Sequence, residues 1–209
     1  MEDEFSGKWL NASVARYYYH PDLIEFDGDK IKRSLLKDSS KNLVITESRE
    51  DKYNEEISSL VKIENVESNR IRIFRKGIEE KVIVGKESTT STTRNAIFEN
   101  DYVRLLPTKS NISESRIQLL KYELKYDKEK LIIEFNNILD KPYIQEINKK
   151  LGREGNKILL EKIDETLLIS MINGYRRGLV LPIKDVNDER LILYGFPEKP
   201  YEVIANRIE

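Results

Sequence analysis

Apolar and polar residues change places in short runs along most of this chain, at the length and spacing of strands rather than helices. Leu23-Ile24-Glu25-Phe26 and Lys30-Ile31-Lys32 flank Asp27-Gly28-Asp29. Asp-Gly suits a two-residue hairpin turn because both turn positions need positive φ, so this stretch reads as strand, tight turn and returning strand. Asn42–Thr46 is a short β-branched run. Leu60–Ile63 and Arg70–Ile73 lie either side of Glu67-Ser68-Asn69 and predict a second hairpin. A turn around Lys76-Gly77 then leads to a strand at Lys81–Val84, and Tyr102–Leu106 closes this part of the chain. Between them, residues 86–95 are rich in Ser and Thr. Threonine favours extended structure, but the low complexity of the patch reads as a loop rather than an exposed edge strand.

The polar, turn-rich Pro107–Asn111 marks a boundary, giving one unit over 1–108 and a second over 112–209. The second opens with strands at 118–126 and 131–135. One helix follows near 141–151: Asp140 can cap it, Pro142 fits its first turn, and Tyr143, Ile144, Ile147 and Leu151 share a face before Gly152. Strands resume at 157–162, 167–171, 179–183 and 190–194. The fold class is therefore mainly β, with antiparallel small barrel or sandwich units and one short helix in the second half. The segments from Ser59 to Val84 and from Ile158 to Val180 share a layout of strand, turn, strand, Gly and strand. The halves are thus candidates for two related tandem units.

Composition narrows function more than fold. Lys and Arg number 36 against 37 Asp and Glu, and the charges balance in each half, so there is no bulk basic footprint for nucleic acid. The chain has no cysteine and one histidine. That excludes disulfides, thiol nucleophiles, thiolate zinc sites and multi-histidine metal centres. No P-loop, dinucleotide fingerprint or calcium loop occurs, and no catalytic residue, metal or cofactor is nominated. No apolar run is long enough to span a bilayer. The acidic start, Met1-Glu2-Asp3-Glu4, does not read as an export signal, and the expected location is cytoplasmic.

The candidate binding residues fall in two groups. Tyr17-Tyr18-Tyr19-His20 is an aromatic cluster that can stack on a ligand or partner, or divide between core and sheet surface by strand alternation. Arg70, Arg72 and Arg75 with Lys76 make a basic strand end, with Arg70 and Arg72 on one face and Ile71 and Ile73 behind it. It can meet an acidic partner, or pair with glutamates on neighbouring strands.

Gly7-Lys8-Trp9 just ahead of a strand-rich half resembles the opening of lipocalin-like domains, over residues 5–107 at most. The resemblance implies a small β-barrel whose first strand carries the tryptophan. Physically, Trp9 needs an apolar pocket and an acceptor for its indole N–H, which reads as a core anchor. The expected function is a non-enzymatic binding protein of bacterial type. It would hold an apolar small ligand or a partner protein at a barrel mouth or sheet face. One alternative is an immunity-type protein that neutralises a toxin by direct binding; another is a hydrolase with an unfamiliar acidic site.

Overall fold

The computed structural model describes residues 5–11, 22–27, 30–36, 43–48, 59–84, 89–126, 129–136, 142–150, 155–173, 176–195 and 201–209. The chain is mainly β, and the described residues form two curled antiparallel sheets and two short helices. The first sheet holds β1 (Lys8–Asn11), β2 (Asp22–Asp27), β3 (Lys30–Leu35), β4 (Leu43–Ser48), β5 (Ser59–Glu67), β6 (Arg70–Val84) and β7 (Thr89–Arg104). Their spatial order is β4-β3-β2-β1-β7-β6-β5. It is an up-and-down meander whose first strand pairs with its last, with its break between β4 and β5.

The second sheet holds β8 (Lys109–Ser110), β9 (Lys121–Tyr126), β10 (Glu129–Glu134), β11 (Lys157–Ile163), β12 (Thr166–Asn173), β13 (Arg176–Val186), β14 (Arg190–Tyr194) and β15 (Glu202–Ile208). The order is β10-β9-β15-β14-β13-β12-β11, with β8 against β13. Here too the first long strand, β9, pairs with the last, β15. The break falls between β10 and β11, and a parallel bridge from Phe135 to Ile158 draws those edges together. The Asn136 amide donates to the Ile158 carbonyl at 2.8 Å in the same place.

Each sheet is apolar on the inside for the reason strands usually are: alternate side chains share a face. In the first, Trp9, Ile24, Phe26, Ile31, Ile71, Ile73 and Tyr102 make one buried cluster. In the second, Tyr122, Leu124, Ile133, Ile169, Leu181, Leu191, Leu193 and Ala205 are among those that fill the interior. Helix α1 (Glu114–Leu119) adds Ile117 to that core, with Ser113 as its N-cap accepting from the Arg116 amide. Helix α2 (Pro142–Lys150) is the one expected near 141–151.

A third cluster joins the two sheets. Leu10, Leu23, Leu36 and Val103 pack against Leu168, Val180 and Tyr194. The central strands are therefore apolar on both faces, which is why they read as Trp-Leu, Leu-Ile and Tyr-Val doublets rather than as strict alternation. The connecting segment 105–108 is strapped down. The Leu106 amide donates to the Tyr194 hydroxyl at 2.9 Å, and the Thr108 amide to the Glu165 carbonyl at 3.0 Å. The Thr108 hydroxyl donates to the Ile183 carbonyl and accepts from the Leu167 amide.

The structure corrects several expectations. No turn forms at Lys76-Gly77: β6 runs through it in unbroken register, with Gly77 opposite Ala96, and Lys81–Val84 is the end of the same strand. A glycine weakens a strand but does not end one whose ladder continues on both sides. The Ser/Thr-rich patch is strand from Thr89 onward, paired with Val84 back to Ile78. Both changes break the strand-by-strand likeness drawn between Ser59–Val84 and Ile158–Val180, although both sheets share the meander plan. Residues 114–119 form a helix, so the strand expected from 118 begins at Lys121. The final strand β15 was not expected.

Candidate functional site

Of the residues singled out in the sequence, Tyr17, Tyr18, Tyr19 and His20 lie outside the described residues. Arg70 and Arg72 do share a face of β6, and both donate to Asp101 of β7, Arg72 through Nε at 2.7 Å. Arg72 also pairs with Glu99 at 2.8 Å. Burial raises the Asp101 carboxyl, but the hydrogen bonds from Arg72 and Arg70 outweigh it and hold the group below the usual carboxylate range. The same contact raises Arg72. Arg70 and Arg72 are thus engaged by carboxylates of their own sheet.

Arg75 turns to the opposite face and is buried. Its Nη1 donates to the Tyr102 hydroxyl at 3.1 Å, which donates in turn to Asp22 at 2.8 Å. Asp22 also accepts from Asn11 at 2.7 Å and from Arg33. Burial, then the Asp22 charge, pushes the Tyr102 hydroxyl well above its ordinary range, so it is a fixed neutral relay between Arg75 and Asp22. Charges taken out of water must be paired and hydrogen-bonded to persist. This network ties β1, β2, β3, β6 and β7 together inside the first sheet.

Trp9 is buried at 1% exposure, its Nε1–H donates to the Phe5 carbonyl at 2.9 Å, and the Arg104 guanidinium lies 4.6 Å from its ring centroid. The indole is a core anchor, as its chemistry requires. Gly7 ahead of it has φ +98°, which explains the glycine two residues before the tryptophan.

A cleft of about 270 Å³ opens between the two units. It is lined by Glu67, Ser68 and Asn69 where β5 turns into β6, by Leu106 of the connecting segment, and by Lys184, Tyr194, Tyr201 and Glu202 of the second unit. The Tyr194 and Tyr201 rings are 6.3 Å apart and tilted. Tyr194 is pinned, since its hydroxyl accepts from the Leu106 amide and donates to the Arg104 carbonyl at 3.2 Å. Burial pushes both hydroxyls up to about 12; for Tyr201 the Glu67 charge adds to it. Both are neutral donors across the physiological range. Lys184 and Glu202, both in the lining, pair with each other.

Sequence reasoning passed over this cleft because it has no local signature: its residues come from positions 67–69, 106, 184, 194 and 201–202. Among the described residues no three His, Asp or Glu converge as metal ligands, and no helix is long and apolar enough to cross a membrane. The chain matches no protein-family model and no curated relative.

Proposed function

We propose that this chain is a non-enzymatic binding protein that holds an apolar small ligand in the cleft between its two units. The cleft itself carries the reading. Its lining joins Leu106 and two tyrosine rings to polar and charged side chains, and it sits at the junction of two units, where small-molecule sites concentrate. Its volume is just under the roughly 300–1,000 Å³ of such sites, which suits one ring or short chain bearing a hydrogen-bonding end. Tyr201, half-buried and protonated, is the donor for that end.

The lipocalin-like resemblance of residues 5–107 would put the ligand inside a barrel. Among the described residues the junction is favoured instead, since Trp9 and its neighbours form a buried cluster inside the first unit and a continuous apolar core lies inside the second. Titration with the fluorescent probe anilinonaphthalene sulfonate tests the reading. Saturable binding to the folded protein is expected, weakened at least about fivefold, or ~1 kcal/mol, by Ser68→Trp, which fills the cleft from an exposed turn. Tyr201→Ala should weaken it comparably. Binding that ignores both substitutions, or no saturable binding, rejects the cleft as the site.

A further inference from the structure

Beyond Lys76, β6 has no partner among the described residues except β7, and β7 has none but β6 until Asn11 meets Tyr102. Among the described residues the two strands thus form a two-stranded ribbon, paired from Gly77 opposite Ala96 to Val84 opposite Thr89. Every residue from Thr89 to Asn95 is exposed, and Ile78 and Ile97 on one face are 52% and 62% exposed. Two-stranded ribbons are marginal in water on their own. Native monomers usually blunt such an edge with Lys, Pro or a short strand. Thr89 to Thr93 contains none of these residues and no charge.

The edge sequence has a property that selects its partner. Thr89-Thr90-Ser91-Thr92-Thr93 is a palindrome about Ser91. Laid antiparallel against an identical strand, it sets Ser91 on a two-fold axis, with Thr90 opposite Thr92 and Thr89 opposite Thr93. Threonine pairs across a ladder are favourable, and an isologous contact closes at two copies. We infer that this chain associates with a second copy of itself through the edge of β7 that faces away from β6 and that no described strand covers at Thr89–Thr93, forming a four-stranded arm about Ser91. A strand edge of this length buries less than the roughly 1,000 Å² of a stable interface, so the dimer is concentration-dependent. The inference does not rest on the ligand cleft.

The absence of cysteine makes the geometry directly testable. Ser91→Cys places one thiol on the axis and should give a disulfide-linked dimer under mild oxidation. Thr89→Cys alone should crosslink at least about tenfold more slowly, whereas mixing Thr89→Cys with Thr93→Cys chains should restore the rate, because cross-strand disulfides need Cα atoms about 4.4–6.8 Å apart. Sedimentation of the unmodified chain should show a mass rising toward twice the monomer's with concentration, and Ser91→Pro should abolish the rise while leaving the circular dichroism spectrum unchanged. A chain monomeric up to about 1 mM overturns the inference, and so does equal crosslinking at 89 and 91. Pairing of this edge only with a different protein's strand would appear as the first of these outcomes.

Discussion

At Gly195 the backbone has φ +85°, and a Cβ placed there would lie 2.8 Å from Cγ2 of Val103. Two separate costs meet at this position: a conformation that side chains rarely adopt, and a clash with a stiff β-branched residue. Val103 belongs to the cluster that joins the sheets, so the glycine sets how closely β14 approaches β7. Gly195→Ala should cost about 1–3 kcal/mol. Its combination with Val103→Ala should cost less than the sum of the two singles, because only the clash is relieved. Denaturant midpoints of the four proteins measure this, and strict additivity would remove the steric part of the account. The other residues at this scale differ in how far sequence disclosed them. Trp9 was legible, since one tryptophan behind a glycine needs a pocket and an acceptor. Arg104 over its ring was not, because that contact depends on which strand closes the meander. Tyr194 was equally hidden: in Leu191-Ile192-Leu193-Tyr194 nothing marks the one side chain that leaves its own core to bind the connecting segment.

Elements were legible where pattern and punctuation agreed. The hairpin of β2 and β3, the hairpin of β5 and β6, and helix α2 each combine a periodic run with fitting turn or terminal residues. They were misread where punctuation spoke alone, as at Gly77, or where composition masked the ladder, as in the threonines of β7. Helix α1 was missed because six residues carry only one buried side chain, Ile117. The pairing of β6 with β7 also decides the fate of the basic strand end, since it sets Arg72 directly opposite Asp101. Asp101→Asn should therefore destabilise the chain by about 2 kcal/mol, the scale of hydrogen bonds to a charged group. Because the folded carboxyl is held below its ordinary 3.8, its contribution is present in full above that value and is lost as pH falls through the folded pKa. The loss on substitution should accordingly be largest near neutral pH and shrink toward pH 2. A difference between wild type and Asp101→Asn that stays flat from pH 7 to pH 2 would contradict the pairing.

At the scale of the whole molecule the two sheets behave as one body if the junction is strong enough, and its composition argues that it is. Leu10, Leu23, Leu36 and Val103 meet Leu168, Val180 and Tyr194 in a shared apolar cluster. Around it, Lys8 pairs with Asp164 at 2.7 Å, and the Thr166 hydroxyl donates to the Leu106 carbonyl at 2.8 Å. At the head of Pro107–Asn111, the stretch that reads as a boundary, Thr108 is bound to Glu165, Leu167 and Ile183 of the second unit. Leu106 just before it is bound to Tyr194 and Thr166, while the Leu105 amide holds to the Lys8 carbonyl of the first. Small junctions between units are more polar and leave the units free to move, whereas this one takes side chains from the centre of both sheets. Removing it would expose leucines on the outer face of each. The chain should then unfold in a single calorimetric transition whose van't Hoff and calorimetric enthalpies agree. Leu168→Ala, which opens a cavity at the junction and costs about 2–5 kcal/mol, should uncouple the units and split or broaden that transition. Leu181→Ala, inside the second core, should lower the single transition without dividing it. Two resolved transitions in the unmodified protein would show instead that the shared cluster is a contact between independent units, and the ligand cleft beside it would lose its fixed walls.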